Sequence, residues 1–250
     1  MRRTTAIVVA LAAERRALLP CLASTRLDWV DGLPAVHGEV AGQPVLLVQA
    51  GIGFSRARAA VEAIARRHPL AAVWSIGLAG GLIDSLGPGT LVCPLAILPD
   101  AAGDAAIPTA PAARKILAAL QAAGLPAHPG PLFTSRVALR TPEEKQATHR
   151  RTSAVAVDME AAGVALAAKE LHVSAVALKA IADPVGEPLP EIVARCMTPS
   201  GGLSWQGILR ALAAAEGRRS LARLRQAARL AEAALRQALP IALTHAHSRE

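Results

Sequence analysis

The chain has no tyrosine, two phenylalanines and three tryptophans among 250 residues. Stacking single-stranded nucleic acid needs several aromatic side chains, so no nucleic-acid partner is expected. Cysteine is almost as scarce. Cys21, Cys93 and Cys196 are far apart, odd in number and outside any CxxC pair, which excludes a disulfide framework and fits a reducing cytosol. The seven histidines form no HExxH or HxxxH pattern, so neither a metal site nor a cofactor is expected. No apolar run reaches the roughly 18 residues of a spanning helix.

What is abundant points to a buried core. Hydrophobic residues make up 52% of the chain, and its length suits one α/β domain. The net charge is +8 and the pI about 10.6, a balance that favours acidic or phosphate-bearing partners. Met1-Arg2-Arg3 followed by Ala6–Ala13 imitates a short signal peptide. The run is short, however, and leads directly into Glu14-Arg15-Arg16; the same residues make a first strand. A cytoplasmic chain is expected.

Apolar runs alternate with helical patterns. Strands are predicted at Ala6–Ala10, Pro44–Gln49, Ala71–Ile76, Pro131–Ser135, Ala154–Val157 and Ser174–Ile181, with a polar hairpin over Ser24–Val40. Helices are predicted at Ser55–Arg67, Ala112–Ala123 and Ala161–Lys169, and one starts at Thr141-Pro142-Glu143-Glu144. Pro99–Pro111 reads as a loop. The order implies an α/β fold: a three-layer sandwich around a central, mixed but largely parallel sheet. Residues 1–185 form the core, and 186–250 form a Pro-rich connection and a helical extension of the same domain. Within the extension, Ser204–Leu239 reads as helix broken near Gly217. Leu221, Leu224, Ala228, Ala231, Leu235 and Leu239 share one face; Arg218, Arg225, Arg229 and Arg236 share the other. Such a helix either rests on an anionic membrane surface or packs on the sheet with its arginines outward.

Three acids follow predicted strands: Glu14, Glu160 and Asp183. If the strands are parallel, all three lie at one end of the sheet, where open α/β sheets bind ligands. Asp158 and Glu160 flank Met159, and two adjacent carboxylates suit the hydroxyls of a polyol such as ribose. Each acid also has a structural reading. Glu14 and Glu160 suit helix N-termini, and Asp183 suits a turn before Pro184. Gly51-Ile52-Gly53 follows a strand, where glycine permits close backbone approach to a ligand. Arg56 and Arg58 beyond it either receive a phosphate or are solvated surface charges.

The segment VDMEAAGVA (Val157–Ala165) resembles the V-E-M-E-A-x-A block of the nucleosidase and phosphorylase superfamily, sharpest in 5′-methylthioadenosine/S-adenosylhomocysteine nucleosidases. AIVVALAAERRALL resembles that family's opening, AGIG its S-G-I-G, GLAGGL its T-G-S-A-G-G-L, and AIAD its A-I-S-D. The resemblance implies that Met159 and Glu160 cup the ribose. It makes Glu14 the base for the attacking water and Asp183 the donor of a proton to adenine N7. Gly53, Leu78, Ala79 and Gly80 then shape the pocket, Val137 and Leu139 sandwich the base, and Asp158 joins the ribose side. The family's tendency to dimerise implies a homodimer.

Departures matter too. Leu78 stands where the family has a hydroxyl residue, and no G-D-P-x-R motif follows the first strand, so hydrolysis is favoured over phosphorolysis. An apolar Leu78, the short loop, the basic tail and DP-x-x-x-x-LP after the last strand are similar to the hopanoid-associated branch. That similarity implies adenine release from adenosylhopane, a nucleoside with a lipid-like 5′ group, and a place on the inner membrane face. The alternatives are a methylthioadenosine/S-adenosylhomocysteine nucleosidase, a purine nucleoside phosphorylase, or a degenerate member that binds a membrane or partner through its tail without catalysis.

Overall fold

The computed structural model describes residues 3–100, 105–188 and 215–246, with the backbone alone over 215–221. Strand β1 (Thr4–Val9) sends successive side chains into two different apolar clusters: Ile7 and Val9 into one, Ala6 and Val8 into the other. β4 (Gln43–Gln49) divides Val45 and Leu47 from Leu46 and Val48 in the same way. Strands without a polar face must be covered on both sides. On the Ile7 side the cover is α1 (Ala12–Leu18), α3 (Ala112–Ala122) and α6 (Ala215–Ala246). On the Ala6 side it is α2 (Phe54–Arg67) and α5 (Ala161–Glu170). The result is the expected three-layer α/β sandwich. α2 and α5 lie close because Gly163 of α5 has no Cβ; one there would collide with the Phe54 carbonyl.

The other strands are β2 (Ala23–Val30), β3 (Leu33–Val40), β5 (Leu70–Gly81), β6 (Leu91–Val92), β7 (Ala96–Pro99), β8 (Ile107–Pro108), β9 (Ala127–His128), β10 (Leu132–Thr134), β11 (Ala156–Asp158) and β12 (Ser174–Asp183). Along the sheet the order is β2-β3-β4-β1-β5-β11-β10-β7-β8, and β12 pairs with β5 and β6. At the centre, β4, β1, β5 and β12 run parallel. The segment expected as one loop at Pro99–Pro111 contains β8, which pairs back onto β7.

One expectation about strand direction is corrected. β11 pairs antiparallel with the glycine-rich end of β5, Ala156 opposite Gly81 and Val157 opposite Gly80, while running parallel to β10. β5 is also longer than expected, continuing through Gly77 to Gly81. Its extra length lets β11 reach the same place from the opposite direction.

The C-terminal helix is continuous from Ala215 through Gly217 and Pro240 to Ala246, so the expected break near Gly217 is not present. Ala231, Leu235 and Leu239 are fully buried against the sheet side, with Ala238, Ala242 and Leu243. Arg225, Arg229 and Arg236 are exposed. Residues 189–214 and the side chains of Arg218 and Leu221 lie outside the described residues. Among the described residues no helix is long and apolar enough to cross a membrane. α4 (Pro142–Thr152) starts as its sequence predicts. The Thr141 hydroxyl accepts from the Glu144 N–H at 3.2 Å, and Pro142 takes the first turn.

Candidate active site

A cavity of about 220 Å³ opens where β1, β5, β11 and β12 end. Glu14, Asp158, Glu160 and Asp183 all line it, with Met159 between two of them. Leu78, Ala79 and Gly80 form part of its wall, and Val137 and Leu139 another part. Gly53 is not a lining residue, whereas its neighbour Ile52 is.

Glu14 is 3% exposed. Its Oε2 accepts from the N–H groups of Ala10 and Leu11, both at 2.8 Å, which caps α1 from within its first turn. Its Oε1 accepts from the Leu78 N–H at 2.8 Å. Glu14 therefore caps α1 and lines the cavity at once. Gly77 makes room, because a Cβ there would sit 2.5 Å from Oε1. Burial raises the carboxyl above its ordinary pKa, and the three N–H groups and the Lys179 charge oppose that rise.

Glu160 stands at the N-cap of α5 but does not cap it by its side chain. Its Oε1 instead accepts from the Gly53 N–H at 2.8 Å, across the gap to the start of α2. That bond is where Gly53 enters the site: it holds Glu160 rather than lining the cavity. Burial first, then the charge of Asp158, pushes Glu160 up to about 7, against the pull of Lys179.

Asp158 takes the capping role expected of Glu160. Its Oδ2 accepts from the Ala161 N–H at 2.8 Å, and its Oδ1 from the Thr134 hydroxyl at 2.7 Å. The same hydroxyl accepts from the Ala162 N–H at 3.0 Å. Lys179 Nζ lies 2.9 Å from Asp158 Oδ2. Both Asp158 oxygens thus have protein partners, and the residue positions the Glu160 turn.

Lys179 was not legible as a site residue. It stands inside SAVALKAI, where a lysine on a buried strand has no motif around it. Burial pulls its pKa down, but Asp158, Glu160 and Glu14 outweigh that and hold the ammonium above the ordinary lysine value. The three carboxylates therefore surround one fixed cation.

Asp183, the last residue of β12, belongs to a second pair. Lys145 Nζ on α4 is 2.8 Å from Asp183 Oδ1 and donates to the carbonyls of Pro184 at 2.8 Å and Glu187 at 3.0 Å. Lys145 is fully buried. Asp183 Oδ2 lies beside Gly80, where a Cβ would come within 3.5 Å of it. Burial raises the Asp183 carboxyl and Lys145 opposes the rise. Nothing in TPEEKQATHRR marks Lys145 as different from its polar neighbours, so this partner too was missed.

The expected phosphate-receiving arginines are otherwise engaged or outward. Arg58 pairs with Glu62 at 2.9 Å and Glu170 at 2.8 Å. Arg56 is exposed and folds over Gly51. Among the described residues lining the cavity there is no arginine or lysine.

Comparison with known proteins agrees with this fold. A model of the phosphorylase superfamily matches residues 4–198. Over 86 residues the chain is 30% identical to a 5′-methylthioadenosine/S-adenosylhomocysteine nucleosidase of Shewanella denitrificans, a match spanning 34% of this chain and 37% of that relative's length. The nucleosidase of the same name from Neisseria meningitidis, solved with methylthio-immucillin-A, superposes with a TM-score of 0.77 at 18% identity, covering 97% of this chain and 99% of that one. Futalosine hydrolase of Helicobacter pylori gives a TM-score of 0.77 at 14% identity, covering 97% of each chain. At such identities these two likenesses are of fold.

Proposed function

The chain belongs to the phosphorylase superfamily, and from that premise we propose that it hydrolyses the N-glycosidic bond of a 5′-modified adenine nucleoside. The observation that carries this reading is the convergence of Glu14, Glu160 and Asp183, from three separate segments, on one cavity. Breaking the bond requires a proton on the departing base and stabilisation of a cationic sugar, then its capture. Asp183 Oδ2 delivers the proton to N7, and the raised carboxyl suits that role. Glu160 accepts from ribose hydroxyls and offers negative charge to the ring. Glu14 takes one proton from the attacking water, whose oxygen bonds to the anomeric carbon. The absence of a cationic lining among the described residues supports water over phosphate as acceptor.

The finer assignment is adenosylhopane as substrate. Leu78, Val137, Leu139 and Ile52 give the cavity an apolar wall suited to a lipid-like 5′ group. Exposed Arg225, Arg229 and Arg236 suit a peripheral contact with an anionic membrane. A homodimer completes the reading and rests on the family resemblance.

The test measures adenine release from adenosylhopane and from methylthioadenosine, with and without phosphate, by wild type and Asp183→Asn. Phosphate-independent release from the lipid nucleoside, lost in the variant, is expected. Preference for methylthioadenosine keeps the chemistry and removes the lipid assignment. A strict need for phosphate replaces hydrolysis by phosphorolysis. No release from either leaves the non-catalytic alternative. Vesicle co-sedimentation and size-exclusion chromatography test the membrane contact and the dimer.

A further inference from the structure

Far along the sheet from the cavity, three side chains from three elements converge. Asp28 is on β2, His37 on β3 and His68 at the C-terminal cap of α2. His37 Nε2 lies 2.8 Å from Asp28 Oδ2. The two histidine rings meet edge to face with centroids 5.3 Å apart. One ligand-type atom from each of the three residues falls within 4.8 Å of the others, and all three residues are half-buried. None of them lines the cavity.

We propose that Asp28, His37 and His68 bind a divalent transition-metal ion of the zinc type, with water at the remaining position. Two imidazoles and one carboxylate are ligands that zinc, nickel and cobalt accept and that calcium or magnesium do not favour. Around zinc, ligand bonds of about 2.0–2.2 Å in a tetrahedron hold ligand atoms a little over 3 Å apart. The present spacing therefore closes by side-chain rotation without backbone movement. Binding replaces the proton that His37 shares with Asp28. Positive neighbours do not block the position. Arg67 is paired with Asp31 at 2.7 Å, as is Arg66, and Arg26 reaches Asp28 only at 3.8 Å with most of its side chain in solvent.

The structural consequence follows from the sheet order. β2 is the edge strand, and an ion shared with His68 ties the β2–β3 hairpin to the end of α2. The spacing of the ligands along the chain explains why no sequence pattern reveals them.

The test uses the full chain stripped with a chelator and then titrated with zinc sulfate by calorimetry and thermal melting. One saturable site is expected, with a rise in Tm of about 5–10 °C when zinc stands a hundredfold above its Kd. His68→Ala and Asp28→Asn should each weaken binding at least tenfold and lose the rise. Retained adenine release and an unchanged circular dichroism spectrum show that the variants are folded. Cobalt should give the visible absorption of a four-ligand nitrogen and oxygen site in wild type only. No saturable binding to wild type overturns the proposal. Equal binding by wild type and both variants overturns it as well, by placing the ion elsewhere.

Discussion

Among the described residues are two buried lysine–aspartate pairs, and they differ in what their aspartates have left to offer. Asp158–Lys179 lies inside the sheet, with side-chain exposures of 0% and 2%. Asp158 has partners on both oxygens. Asp183–Lys145 lies at the rim, where Lys145 is sealed but the Asp183 side chain keeps 17% exposure. Of the two aspartates, the one with solvent exposure at the cavity is the better placed to exchange a proton with a ligand. Burial by itself does not separate these roles, since it acts on both.

Substituting the two aspartates sharpens the contrast most. Asp183→Asn should lower kcat by about 10²–10⁴-fold and destabilise less than Asp158→Asn, since Lys145 keeps the Pro184 and Glu187 carbonyls as acceptors. Asp158→Asn should mainly destabilise, since Lys179 is left buried without its nearest partner. Adenine release and urea unfolding, measured on both proteins, read the two effects apart. Equal rate losses at similar stability would erase the distinction.

Next in size is Lys179→Met. Removing one member of a buried ion pair costs about 3–5 kcal/mol, and here Glu14 and Glu160 lose the same cation. The loss should appear as a lower urea midpoint with the slope unchanged. Asp158→Asn added to Lys179→Met should restore part of it, because contacting residues are not additive.

Lys145→Met tests the rim pair by pH. With the lysine gone, the force opposing the rise of Asp183 is lost, so its carboxyl stays protonated to higher pH. The falling limb of kcat/KM should then move to higher pH. Stability should drop by about 2 kcal/mol, less than at Lys179, because Asp183 is partly solvated. A pH profile that does not move would make this pair as structural as the other.

The smallest effect is the pH slope of stability from Glu160. Its folded pKa of about 7 exceeds the unfolded value near 4.5, so between those limits the folded state binds more protons. The contribution is full below about pH 4.5 and is lost as pH rises through 7. Glu160→Gln should flatten the fall of Tm across that window, which thermal melts in matched buffers will show.

Much of this was legible in the chain. The continuous apolar runs over Ala6–Ala10 and Pro44–Gln49, and the capping at Thr141, are local properties, and the structure repeats them. The three acids were legible because each follows an apolar run, and strand ends are where sheets present chemistry. Lys145 and Lys179 are not, since their meaning is a partner 38 or 21 positions of chain away: Lys145 meets Asp183 and Lys179 meets Asp158 only after α4, β11 and β12 are packed. In the sequence Asp158 and Glu160 form one pair of polyol acceptors. The structure divides them, because the α5 N-terminus takes Asp158 and the Gly53 N–H takes Glu160.

By itself, then, the sequence determined the layers, the covered sheet and the segments that carry carboxylates, because apolar runs and capping are written within a few residues of each other. Tertiary structure alone decided which aspartate keeps solvent exposure, that β11 arrives antiparallel to β5, that the apolar face of α6 is taken by the core, and that Asp28, His37 and His68 meet. Each of these depends on contacts between segments distant in the chain, where charge pairing and desolvation act across space and leave no local pattern.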